Sequence, residues 1–131
     1  MSENVPNDLL YTEDHEWARQ EGNLVTVGIT QFAVEQLGDV TQVELPREGE
    51  TLKRREVLGT VESVKAVSDV YAPISGKVVK VNSPLHDSPE YVNEEPYDGG
   101  WMVQIEISRP DELKELMNAQ AYEEFLKEHE G

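Results

Sequence analysis

Cysteine is absent from the 131 residues. That excludes a disulfide scaffold, a thiolate zinc site and a catalytic thiol, so any sulfur redox chemistry would have to arrive on an attached group. No apolar run approaches the roughly 20 residues that a membrane-spanning helix needs. Positive charge is scarce as well: 11 Lys and Arg stand against 27 Asp and Glu, a formal net charge of −16. Such a surface repels phosphate backbones and anionic lipid, so neither nucleic acid nor a membrane is expected as a partner, whereas basic docking faces are. The opening stretch from Met1 to Asp8 resembles neither a secretory signal nor an Arg-rich transit peptide. The expected location is the bacterial cytoplasm, or the mitochondrial matrix if the chain is a processed form.

The signatures of a self-sufficient active site are missing too. There is no G-x-S-x-G, no G-x-G-x-x-G and no G-x-x-x-x-G-K-[ST]. His15, His86 and His129 lie far apart and form no H-E-x-x-H pair, so no metal site is expected and each reads as a surface or hydrogen-bonding residue. With 27 of 131 residues acidic, neighbouring carboxylates arise by chance and single out no acid–base pair. No catalytic residue is expected, and the acidic runs read as solvated surface.

What is present is a series of short β-type runs punctuated by turns. Glu16–Arg19 and Leu24–Ile29 read as strands joined at Glu21-Gly22-Asn23. Thr30–Gly38 reads as a short helix with Thr30 as N-cap, Gly38 at C′, and Phe32, Ala33 and Leu37 on one face. Asp39–Leu45, Val57–Val61, Val67–Ala72 and Lys77–Val81 follow as strands. In the last strand Trp101, Val103, Ile105 and Ile107 alternate with Gln104 and Glu106. Ser108 to Glu112 opens a helical tail with Leu113, Leu116 and Met117 in one apolar patch and Tyr122, Phe125 and Leu126 in another, past a break at Asn118. The fold class is therefore mostly β, a sandwich or barrel with a short internal helix and a C-terminal helical tail. Gly59 and Gly76 read as turn or close-packing glycines.

Lys65 stands out by its place. Flanked by Val64 and Ala66, it falls between two arms of strand composition and so at or near the tip of a hairpin. A solvated turn accounts for an isolated lysine there. The alternative is a modification point, since an accessible ammonium can be acylated to a neutral amide on a long stem. A Schiff-base lysine would instead need a buried pocket that depresses its pKa, and a hairpin tip is a poor candidate.

The segment Gly59-Thr60-Val61-Glu62-Ser63-Val64-Lys65-Ala66-Val67-Ser68-Asp69 resembles the lipoylation segment of glycine cleavage system H proteins. The resemblance runs over about residues 9–126. It includes Tyr11 to Trp17, Val27-Gly28-Ile29-Thr30, Leu37-Gly38-Asp39-Val40, Val43-Glu44-Leu45-Pro46, Tyr71 to Gly76, Pro89 to Asn93, Pro96-Tyr97 and Gly100-Trp101. Biotin carriers usually have methionines beside their lysine, where this chain has Val64 and Ala66. Lipoyl domains of 2-oxo acid dehydrogenases usually have an acid directly before it, where this chain has Val64. One departure is Lys53-Arg54-Arg55-Glu56, where the family commonly has a glycine. If that position needs φ > 0, Arg55 costs about 1 kcal/mol. The basic triplet itself reads as a solvated turn, with a docking spot as the alternative.

The resemblance implies a lipoyl/biotinyl-carrier-like barrel-sandwich hybrid. It would be a single carrier domain over 1–131, monomeric, with a flexible tail over 1–8 and a C-terminal helical segment over 108–128. It implies lipoic acid in amide linkage to Lys65 and a non-catalytic shuttle. Glycine decarboxylase (P protein) would load an aminomethyl group, the tetrahydrofolate-dependent aminomethyltransferase (T protein) would take it, and dihydrolipoamide dehydrogenase (L protein) would reoxidise the arm. About ten single bonds give such an arm a reach on the order of 14 Å. By the same resemblance Glu16 and Asp69 line a site that holds the loaded arm, with Asp14 at a further position, and Glu62 is read by the lipoylating enzymes. Two alternatives remain: a relay donor of lipoyl or octanoyl groups to other complexes, and an unmodified acidic adaptor.

Overall fold

A computed structural model of the chain describes residues 5–130, with side chains described through Glu128. Its elements follow from local chemistry. β1 (Leu10–Tyr11) pairs with β2 (Glu16–Glu21), which turns back into β3 (Leu24–Ile29) through Gly22 and Asn23, Gly22 taking φ 61°. α1 (Gln31–Leu37) begins where the Thr30 side chain accepts the Ala33 N–H and ends at Gly38, φ 82°. β4 (Val40–Glu44), β5 (Thr51–Leu52), β6 (Val57–Ser63), β7 (Val67–Tyr71) and β8 (Gly76–Val81) follow. A 3-10 turn over Ser83–His86, the one-turn α2 (Tyr91–Glu94) and β9 (Val103–Ile107) come next, then a second 3-10 stretch over Pro110–Glu115 and α3 (Ala119–Glu130).

Among the described residues the strands form two antiparallel sheets. One has six strands in the order β1-β2-β3-β9-β8-β5, the other three in the order β4-β6-β7. They face each other as the layers of the expected barrel-sandwich hybrid. Their inward residues, including Val25, Val27, Val78 and Ile105 from the larger sheet and Val43, Val61 and Val70 from the smaller, are all buried in one apolar cluster. Each such side chain contributes roughly 1.5–3 kcal/mol of burial. Gly59 and Gly76 are close-packing positions, since a Cβ on either would collide with the Glu44 or Glu106 carbonyl oxygen respectively.

A second cluster joins the N-terminal segment to α3. Leu9, Tyr11, Trp17, Tyr122 and Leu126 are buried in it, and the rings of Tyr11 and Tyr122 stack at 4.6 Å. This cluster corrects two local expectations. In α1 the buried residues are Val34 and Leu37, while Phe32 packs on the second cluster, because the helix lies between the two cores. Trp101 falls before β9 and belongs to the second cluster, not to the alternating strand. The break read at Asn118 is where the C-terminal segment divides: Leu116 is extended, and Met117 exchanges both backbone hydrogen bonds with Tyr11. Asn118 then restarts the helix, its Oδ1 accepting the Ala121 N–H at 2.8 Å. Of the expected tail, residues 1–4 lie outside the described residues. Val5 and Pro6 are half-buried, and the Pro6 carbonyl accepts the Tyr11 hydroxyl at 2.5 Å.

Candidate functional site

The β6–β7 hairpin closes over Ser63-Val64-Lys65-Ala66. The Ser63 N–H donates to the Ala66 carbonyl at 2.8 Å, and the Ser63 hydroxyl oxygen accepts the backbone N–H groups of Lys65 (3.2 Å) and Ala66 (3.1 Å). A serine that caps its own turn in this way leaves the next side chain free to point outward. Lys65 is exposed, and so are the apolar neighbours Val64 and Val67, at 69% and 66%. From outside the hairpin the Val64 N–H donates to the Asp39 carbonyl at 3.1 Å. The lysine stem passes over Gly38, where an added Cβ would stand 3.1 Å from Lys65 Cε. Glu62 is exposed on β6, opposite Val67.

At the other end of the hairpin the environment reverses. Glu16 is 2% exposed. Its Oε2 accepts the Tyr71 N–H at 3.0 Å and its Oε1 the Thr12 hydroxyl at 2.6 Å, so one carboxylate ties β2 to β7 across the two sheets. Burial pushes its pKa from 4.5 up to about 7, helped by the nearby Asp14 charge, while the two hydrogen bonds act in the opposite direction. Thr12 Oγ1 also accepts the N–H groups of Asp14 and Glu16. His15, held at φ 69°, places Nδ1 2.8 Å from the Tyr122 hydroxyl, which lies 2.8 Å from Thr30 Oγ1. The loop carrying Glu16 is thus bound to α3 and to the cap of α1.

A cavity of about 90 Å³ opens beside Glu16, with Asp14, Arg54, Arg55, Tyr71 and Met117 among its walls. Arg55 takes φ 77°, so the position where the family commonly has a glycine does take the left-handed conformation. Its N–H donates to the Ala72 carbonyl at 2.8 Å, and the Arg54 N–H donates to Ser75 Oγ at 2.9 Å. The structure therefore brings Glu16 and Asp14 to one cavity. Asp69 is exposed on β7 two residues before Tyr71, on the same strand face but outside that lining, and Lys65 and Glu62 stand at the far end of the hairpin. The backbone N–H of Tyr71 had no signal in the sequence, because a main-chain donor has no side-chain code. Thr12 lies inside the Tyr11–Trp17 segment, but its contact with Glu16 is set only by the turn.

Among the described residues no group of three or more His, Asp or Glu is placed to hold a metal ion, and no helix is long and apolar enough to cross a membrane. His86 is exposed in the 3-10 turn; the side chain of His129 lies outside the described residues. The family model described as Glycine cleavage H-protein matches residues 9–129. A glycine cleavage system H protein of Anaeromyxobacter sp. (strain K) is 56% identical over 126 residues, 96% of this chain and 98% of that one. That of Symbiobacterium thermophilum is 57% identical over 125 residues, 95% and 98% of the two chains. The crystal structure of a glycine cleavage system H protein from Mycobacterium marinum superposes with a TM-score of 0.85 at 39% identity, over 97% of this chain and 100% of that one. A lysine-tipped hairpin on two facing sheets, matched over nearly its whole length, makes this chain a member of the glycine cleavage H-protein family.

Proposed function

We propose that Lys65 bears lipoic acid in amide linkage and that the chain is the non-catalytic carrier between the P, T and L proteins of glycine cleavage. The observation that carries this reading is an exposed lysine at a serine-capped hairpin tip, in a chain that matches the family over residues 9–129. When bound, the group supplies a dithiolane that accepts the aminomethyl carbon of glycine and is later reoxidised. The residues fit it. Acylation at an exposed tip buries no charge, and the exposed Val64 and Val67 offer apolar contact to a lipoylating enzyme or to the arm's hydrocarbon stem. Glu62, exposed beside the tip, is the polar mark for the same enzyme. Tethering to one chain keeps the carried group at high effective concentration near each docked partner. The relatives above are bacterial, which supports a cytoplasmic carrier.

Glu16 and Asp14 draw the cationic end of the loaded arm into the cavity, with Asp69 steering it along β7. Support comes from the dry wall around Glu16, where a carboxylate interacts with a cation far more strongly than in water. In a system rebuilt from purified P, T and L proteins, the lipoylated chain sustains glycine decarboxylation and Lys65→Arg abolishes it; activity in Lys65→Arg would refute the attachment site. Glu16→Gln combined with Asp69→Asn speeds spontaneous loss of the aminomethyl carbon from the loaded carrier, and an unchanged decay rate would contradict the arm-holding role.

A further inference from the structure

We infer that Asn93 is a positioning residue for Lys65, acting through the Asp39 carbonyl. The inference rests on Lys65 being the attachment lysine. Asn93 stands on α2, remote from the tip in sequence. Its Nδ2 donates to the Gly38 carbonyl at 2.8 Å and its Oδ1 accepts the Val40 N–H at 2.8 Å. One amide thus grips both residues that flank Asp39, with the donor and acceptor of a neighbouring strand. Asp39 in turn holds the tip, because its carbonyl accepts the Val64 N–H at 3.1 Å. Gly38, gripped by the same amide, is the residue the lysine stem passes over.

The ladder reaches the tip only through one pair beyond an irregularity, Val40 with Ser63, flanked by the Val64–Asp39 bond. Pairing between β4 and β6 shifts register between Val40 and Gln42, so the strand alignment is broken where the lysine turn leaves the sheet. Asn93 braces that last pair from its β4 side, and it is anchored: its neighbour Val92 is fully buried in the main core, and the Asn93 N–H donates to the Glu90 carbonyl at 3.0 Å. Ser63 shapes the turn from within, and Asn93 sets where that turn stands relative to the core. A lysine presented from a fixed tip meets an acylating enzyme in one pose. When the tip wanders, only a fraction of the molecules is competent, which raises the apparent KM by the inverse of that fraction and leaves kcat in place.

The test uses the full-length unmodified chain as wild type, Asn93→Asp, Asn93→Ala and the neighbouring control Glu94→Gln. Asp is the informative variant: it keeps the shape and the acceptor for Val40 but cannot donate to Gly38, and it survives as a test if Ala fails to fold. Amide exchange is read by NMR at Val64 and at the core residue Ile105, and KM and kcat are read with a lipoate ligase, lipoic acid and ATP. In Asn93→Asp, Val64 exchange rises by about tenfold while Ile105 is unchanged. KM for the chain rises with kcat retained, and Glu94→Gln matches wild type. Unchanged Val64 exchange overturns the inference, as does equal acceleration at Val64 and Ile105 with KM unmoved. Failure of the wild-type chain to be acylated at all would instead overturn the attachment reading, before any variant is made.

Discussion

The two ends of one hairpin solve opposite problems. At its tip, Lys65 is exposed, its turn is capped by a serine two residues away, and valines beside it face solvent. At its base, the Tyr71 N–H meets a carboxylate from 55 residues earlier in the chain, almost wholly removed from water. The tip needs only access, which local turn chemistry provides at little cost. The base keeps a carboxylate dry, which burial opposes and two hydrogen bonds only partly offset. On the proposed reading, one β-strand, β7, separates the attachment point at Lys65 from the buried carboxylate at Glu16.

The largest effect that sharpens this contrast is the pH dependence of stability at the base. Because Glu16 titrates at about 7 instead of 4.5, the folded chain binds more protons than the unfolded one between those values. Stability from this group is present below about pH 4.5 and is lost as pH rises through about 7. Relative to Glu16→Gln, the wild-type chain is therefore expected to lose on the order of 3 kcal/mol between pH 4 and 8, measured by urea unfolding of both. A pH-independent difference between the two would mean that the carboxylate is not held dry. A smaller effect is expected beside the same cavity: Arg55→Gly relieves the left-handed backbone and stabilises by about 1 kcal/mol, read as a higher unfolding midpoint. The smallest belongs to the tip. Val64→Ala shifts stability by no more than about 0.5 kcal/mol, since the side chain is already in water, and a larger loss would break the contrast.

The same contrast explains what the sequence reveals. The Lys65 turn, the Gly22-Asn23 turn and the Thr30 and Gly38 caps are all local, so residue type and spacing specify them. Arg55 at positive φ is legible only through the resemblance, as a side chain standing in a turn where the family commonly has glycine. The Glu16–Tyr71 bond is not legible, because it joins strands of different sheets through a main-chain N–H. Nor is the burial of Val34 in place of Phe32, which follows from α1 lying between two cores. The break at Asn118 is legible in the C-terminal segment, but the Tyr11–Met117 pairing that holds it is a contact that no periodicity within the segment encodes. Asn93 reads in sequence as one more polar residue in an irregular stretch, and only the path of residues 38–40 gives its amide a task.

The role proposed for the hairpin depends on one covalent bond, an amide between lipoic acid and Lys65. The most direct measurement is the mass of the peptide containing Lys65, fragmented to the residue, from chain made in a cell that lipoylates its other carriers. A lipoyl increment on Lys65 is expected. An unmodified Lys65 in such a cell would contradict it and leave an acidic adaptor in place of a carrier.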